Sequence, residues 1–512
     1  MVTAVAGVFL VAVAVGALVA PRPPFTVYRQ PVAVLVTVAL VAVAMCWRPP
    51  GWLRRAARSR WAAPVVGLLA GALALVVGLS LDFPWSWDVD ALNRIARKLF
   101  IGEPLSDQQV RYLSRYPNTH VLLDLHRTGF WVAERTGWPM RTVLVSVVGV
   151  AAGVTVLLVH PLVARVAGRV RAVAAQLVVL ALVATSPWMA LPYSDVLAMP
   201  LVTGAVVLVL RASRRRDLVG AVLLLVSAVL TGLAIALKGT PGVLVVAVAV
   251  VGLVLALDHR RRWRRALVVL VGTLVWVALA LGSLVGATST ATAPIGPVGL
   301  TPGASPPALW WVANGMTELH NPPAQPSYGG YNSAMLVGIR NLDRTAATRW
   351  SADWIHGRWV AEGAGGLAAF YADKAVWNWG DGMFWAWGEG ADGRRDTLPP
   401  VDDGVAGVVH QVDGRFGAGY PLRSDLAQGL WLAVVLVGGV GALRRRRPPR
   451  DVVLVALAVV GIAAFTLLFQ GRSRYLLTFV PLVVALAAYA PRGPTLRLRR
   501  LTSSRRSGAA PS

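Results

Sequence analysis

The sequence predicts an all-α polytopic membrane protein, and three observations predict it. Of 512 residues, 56% are hydrophobic and only 14% are charged. The mean hydropathy of +0.60 is too high for a soluble domain of this length. The apolar residues fall in repeated runs of about twenty, long enough to cross a bilayer as helices. Arginines gather in every second connection between those runs. A membrane barrel would need alternating segments of about ten residues, which the chain lacks. Helices remain as the way to satisfy a backbone in lipid.

About twelve spans follow from the apolar runs. They cover 2–20, 31–47, 62–81, 142–160, 172–190, 196–211, 218–236, 241–257, 266–287, 427–443, 451–469 and 475–490. The first lacks the basic flank of a signal peptide and is read as a helix. The chain thus divides into a three-helix start (1–81), a first loop (82–141), helices four to nine (142–287), a large Trp-rich segment (288–426), three last helices (427–490) and a basic tail (491–512).

The formal charge of +26 would suit a nucleic-acid partner, but its distribution argues against one. Clusters fall at Arg54–Arg55, Arg165–Arg171, Arg214–Arg216, Arg260–Arg265, Arg444–Arg447 and in the tail. This alternation is the positive-inside pattern, and it predicts both termini in the cytoplasm. Only Asp217, Asp258 and Asp451 among the 24 acidic residues fall on that side. Arginines facing anionic lipid account for the basicity. A single cysteine, Cys46, excludes an intrachain disulfide and a thiolate metal site.

The two long connections, 82–141 and 288–426, lie on the predicted outer side, and functional residues are expected there. In the first, Val89, Leu92, Ile95, Ala96 and Leu99 share one helical face, which suits a helix on the membrane surface. Ser106 to Gln109 form a capping-box pattern that starts a second helix, and Pro117 ends it. The second segment opens with an extended Pro/Gly-rich lead-in (291–307). A helical stretch (346–376) and a glycine-broken loop around "WNWGDGMFWAWGEG" follow. Most of its tryptophans are expected to pack the segment or sit at the interface.

Five places carry candidate chemistry. Asp88 and Asp90, in "SLDFPWSWDVD", are either a helix cap and a dipole partner or a general base held at the interface. Lys238, in "ALKGTPG", is one of three lysines against 47 arginines. It is either a snorkelling residue or a phosphate ligand. Arg472 and Arg474, in "GRSRYLL", lie in a very short outer turn with Tyr475. They either anchor the interface or bind an anion through their forked donors. Tyr193 and Asp195, in "PYSD", form an outer hairpin, with Asp195 as a functional acid or a cap. Tyr116 and Asn118, in "RYPNTHVLL", and Asp381, in the glycine-broken loop, are weaker substrate-binding candidates. The histidines show no metal spacing, so no metal site and no cofactor are expected, although a divalent ion is not excluded.

In order and on a common side, these motifs resemble the GT-C superfamily of integral-membrane glycosyltransferases. Within it the chain is most similar to bacterial relatives of protein O-mannosyltransferases and aminoarabinose transferases. The likeness runs from about residue 62 to 490. It implies a polyprenyl-phosphate-linked sugar donor and transfer at the outer face of a bacterial plasma membrane to a glycan, lipid or protein acceptor. It maps the catalytic acid to Asp88 and the phosphate-facing cations to Lys238, Arg472 and Arg474. Family members often carry adjacent acids where Val89 separates Asp88 from Asp90, and many have an acid where this chain has Gln470. Two other readings remain open: a transporter or flippase of a lipid-linked or anionic solute, and a non-catalytic cell-envelope protein.

Overall fold

The computed structural model describes residues 1–22, 28–46, 50–215, 217–258, 262–320, 326–388 and 404–491. The basic tail from 492 and the arginines at 48, 216, 260 and 261 lie outside the described residues.

The chain begins with α1 (Val2–Val19), α2 (Gln30–Cys46), a short basic α3 (Gly51–Arg58) and α4 (Ala62–Ser80). The first long loop folds into α5 (Trp87–Ile101), α6 (Asp107–Arg115) and α7 (His120–Thr136). Then come α8 (Met140–Ala167), α9 (Arg169–Val179), α10 (Ser194–Ala212), α11 (Leu218–Leu237), α12 (Gly242–Asp258) and α13 (Trp263–Thr292). The Trp-rich segment holds α14 (Ala308–Gly315), α15 (Ala334–Ile339), α16 (Arg344–Trp379) and α17 (Gly404–Asp413). Last come α18 (Tyr420–Leu443), α19 (Arg450–Leu468) and α20 (Val480–Ala488).

Among the described residues, eight helices are long and apolar enough to cross a membrane: α1, α4, α8, α10, α11, α13, α18 and α19. The apolar runs at 31–47, 241–257 and 475–490 become shorter apolar helices. The expected span 172–190 is broken. After α9 the backbone widens into a π turn at Leu180–Ala184 and then a 3-10 turn at Pro187–Ala190. Arg423 of α18 supports the break, donating to the carbonyls of Ala181 (3.3 Å) and Thr185 (3.1 Å) and to the Thr185 hydroxyl (3.0 Å). A carbonyl freed from a helix needs such a donor. The core is one large aliphatic cluster through the bundle, with α20 buried along its length. By contrast α13 leaves most of its apolar surface open, as a lipid-facing helix does.

Other differences are local. The apolar face of α5 is buried against protein through Val89, Leu92, Ile95 and Ala96, not laid on a membrane. Ser86, not Asp88, occupies the N-cap of α5, and Asp88 lies in the first turn. The capping box at Ser106 and Gln109 forms as expected, and α6 ends before Pro117. The lead-in is helical to Val298, because α13 runs on into a 3-10 turn. The helix expected at 346–376 is α16, kinked at Gly363, whose φ of 63° suits glycine. A two-stranded antiparallel ribbon, β1 (Glu318–Leu319) with β2 (Ser327–Tyr328), was not expected.

Candidate functional site

Three loops meet at the end of the bundle where the long connections sit, hereafter the loop end. Trp85 donates its indole N–H to the Ala190 carbonyl (3.1 Å), and Trp188 donates to the Phe384 carbonyl (2.9 Å). Phe83 packs on Trp387, with ring centroids 4.8 Å apart. These contacts pin residues 82–87, 187–193 and 381–387 to one another. They hold Trp87, Phe384, Trp385 and Trp387 at positive φ, a costly conformation for a bulky residue.

Asp88 follows Trp87 directly. Its two carboxylate oxygens accept one phenol each, Oδ1 from Tyr112 and Oδ2 from Tyr193, both at 2.8 Å. Burial, and then the Asp88 charge, push the Tyr112 phenol well above its ordinary pKa, which keeps it a donor. Tyr116 packs against Tyr112 with the rings tilted and their centroids 5.3 Å apart, and its hydroxyl meets that of Tyr331 at 2.8 Å. Asp88 therefore begins a row of phenols leading to the Trp-rich segment.

The other side of Tyr193 carries the cations. The Arg474 guanidinium lies over the Tyr193 ring at 4.4 Å and beside Tyr475 at 5.4 Å. The Lys238 ammonium lies over the opposite partner, Tyr475, at 4.2 Å. Lys238 also donates to Asp195 Oδ2 at 3.1 Å. A continuous chain of contacts thus runs from Asp88 through Tyr193, Arg474 and Tyr475 to Lys238 and Asp195. Arg474 is 5% exposed and Asp195 0%, so these charges act in a medium that strengthens them. Asp195 Oδ1 accepts no hydrogen bond from a described residue.

Arg472 lies on the Trp-rich side, over the Trp385 ring at 5.1 Å. Asp381 organises this side. It accepts from the backbone N–H groups of Met383 (3.0 Å) and Trp385 (2.7 Å) and from the Ser473 hydroxyl (2.6 Å). It thus joins the glycine-broken loop to the arginine turn. Gln470 and Gly471 continue the junction by donating to the carbonyls of Trp311 (3.0 Å) and Gly329 (2.9 Å).

Sequence reasoning missed Lys374. This fully buried ammonium donates to the carbonyls of Gly315 (2.6 Å), Leu467 (2.6 Å) and Phe469 (2.8 Å). Burial pushes its pKa down to about 7, while three carbonyl acceptors match the three donors of a charged ammonium. Two of them close the C-terminus of α19 immediately before the Arg472–Arg474 turn, where a cation is favoured. The rarity of lysine that drew attention to Lys238 applied equally to Lys374. Tyr112 was also missed, although it sits four residues before Tyr116 on the same helical face.

Two candidates lie apart. Asp90 pairs with Arg94 one turn along α5 at 2.8 Å, an ordinary i,i+4 ion pair, and does not join the cluster. Asn118 is exposed on a 3-10 turn. Lys238 differs from the expectation in another way, since Asp195 already compensates its charge. Among the described residues, no three His, Cys, Asp or Glu side chains come together as a metal site.

The family described as "Conserved hypothetical integral membrane protein" matches residues 25–492. No curated protein matches the chain.

Proposed function

Given that the chain belongs to this family of conserved hypothetical integral membrane proteins, we propose that it is a glycosyltransferase. It moves a sugar from a polyprenyl-phosphate donor to a cell-envelope acceptor at the outer face of a bacterial plasma membrane. The reading includes a GT-C-like arrangement of about twelve membrane passes with both termini in the cytoplasm. One observation carries it: a carboxylate, the buried Arg474 and the part-buried Lys238 are joined through two tyrosines, Tyr193 and Tyr475, at the end where the acidic residues gather.

The chemistry asks for those parts. Asp88 takes the proton of the acceptor hydroxyl as its oxygen attacks the anomeric carbon. The bond from that carbon to the phosphate oxygen breaks, and the polyprenyl phosphate leaves with the bonding electron pair. Its phosphate gains a negative charge as it leaves, so Arg474, Arg472 and Lys238 stabilise the transition state more than the ground state. Tyr112 and Tyr193 orient the Asp88 carboxylate. For Lys238 to meet the phosphate, it shares its donors between Asp195 and the phosphate oxygens.

The break after α9 favours a second reading. Interrupted helices near buried charge are a transporter feature, and here the break ending at Ala190 comes five residues before Asp195, the partner of Lys238, along the chain. On that reading the same cations hold an anionic solute in transit.

The test is transfer of radiolabel from a panel of polyprenyl-phosphate hexoses by the purified chain in liposomes containing envelope acceptors. The expected result is product with the native chain and essentially none with Asp88→Asn. Equal transfer by both would remove Asp88 from catalysis. Movement of label across the bilayer without product would select the transport reading.

A further inference from the structure

The opposite end of the bundle, where the arginines gather, contains a cavity that the proposed transfer does not use. Its volume is about 370 Å³, and it lies between the last turns of α8 and α10. His160, Arg165, Arg169 and Arg211 line it, Val207 and Leu210 are among its apolar lining, and among the described residues no carboxylate lines it.

The cations are held but not saturated. Arg165 donates one Nη to the Leu210 carbonyl at 2.9 Å, and Arg169 donates one to the Arg58 carbonyl at 3.0 Å. Asp451 lies 3.8 Å from Arg165 Nε, and its closer bond, 2.7 Å, is to Arg214. Arg211 makes no side-chain hydrogen bond or ion pair to a described residue. A guanidinium offers five donors, so most donors around the cavity remain for a ligand. Three like charges at close quarters also favour an anion between them.

The lining says which anion. A free inorganic ion would satisfy the rim and leave the apolar wall wet. An amphiphile satisfies both. On α8, Leu157 lies on the same face as His160, Pro161 and Ala164, and it is exposed. The cavity therefore continues onto a surface that meets acyl chains. We propose that this cavity binds the phosphodiester headgroup of an anionic phospholipid, with the glycerol and upper acyl chains against the apolar wall.

The experiment uses the full chain purified in neutral detergent. Its melting temperature is measured with added phosphatidylglycerol, phosphatidylcholine or inorganic phosphate, and native mass spectrometry counts retained lipid. Phosphatidylglycerol is expected to raise the melting temperature by several degrees and to stay bound, whereas phosphatidylcholine does neither. The double substitution Arg169→Gln with Arg211→Gln is expected to remove most of that shift while leaving the lipid-free melting temperature in place. Arg264→Gln with Arg265→Gln, outside the cavity lining, is expected to keep it. Equal shifts with both lipids, or an undiminished shift in the cavity variant, would overturn the proposal. Millimolar phosphate that reproduces the shift and displaces the lipid would overturn the lipid assignment and leave a soluble phosphate as the ligand.

Discussion

At the arginine end of the bundle, Arg171 donates to the carbonyls of Ala488 (3.1 Å) and Ala490 (2.6 Å), and Arg445 donates to that of Tyr489 (3.0 Å). At the loop end, Arg472, Arg474 and Lys238 lie against the faces of Trp385, Tyr193 and Tyr475. The first group satisfies carbonyls that a helix C-terminus leaves open, at a surface where charge is cheap to place. In the second group Arg472 and Arg474 are buried and Lys238 is part-buried, and away from water an ion is expensive unless something compensates it. Aromatic faces supply part of that compensation, and Asp195 supplies it for Lys238. The contrast separates cations that finish helices from cations that hold a site together.

Four measurements break or sharpen this contrast. The largest effect is expected for Asp88→Asn, which keeps the size of the side chain and removes its basicity. Transfer should fall by about 10³-fold, within the usual range for a general base, while the melting temperature changes little. A matching loss of folded protein would make Asp88 structural instead.

Asp195→Ala should come next. It leaves Lys238, whose side chain is 12% exposed, as a part-buried ammonium without its carboxylate, and removal of one partner from a buried pair costs about 3–5 kcal/mol. Chemical unfolding in detergent measures it. If Asp195→Ala with Lys238→Met is as stable as the native chain, the pair serves function and not folding.

Acid should weaken the loop end through His126. This ring is fully buried beneath Trp85, and burial lowers its pKa to about 4. The unfolded chain binds the proton first, near the ordinary histidine value. The contribution of His126 is therefore complete above about pH 6.5 and is lost as pH falls through about 4, a loss of about 3 kcal/mol. Melting curves between those values should show the slope in the native chain and a flatter one in His126→Leu.

The smallest effect is expected at the arginine end. Arg214→Ala removes a half-exposed partner of Asp451, which keeps Arg165 nearby. Its cost should stay below about 1 kcal/mol. A loss as large as that of Asp195→Ala would erase the distinction between the ends.

Much of the site was visible along the chain, because cations on the acid-rich side of a membrane protein break its charge pattern. Lys238, Arg472 and Arg474 stood out for that reason, and Asp88 because it follows an apolar run. Their partners were not visible. Nothing in the local sequence distinguishes Asp88 from Asp90, since both sit in the first turn of α5. Tyr193 and Tyr112 reach one of them, and Arg94 takes the other. Lys374 shared the rarity of Lys238, but its acceptors are backbone carbonyls, which every residue has, so its partners left no trace in the sequence. The break after α9 was read through because residues 172–190 carry no charge and are mostly apolar, although Thr185, Ser186 and Pro187 are turn formers. Arg423, far away in sequence, stabilises the widened turn.

The sequence by itself determined that this is a membrane protein, which segments are apolar enough to be buried in lipid, and which connections carry charge of each sign. Those properties follow from transfer free energy and net charge, which add residue by residue. Tertiary structure alone decided which helices run unbroken, which carboxylate meets the tyrosines, and which cations face a partner or a cavity. Those depend on distances between segments that lie from tens to hundreds of residues apart in the chain, and a few ångströms decide whether two charges interact at all.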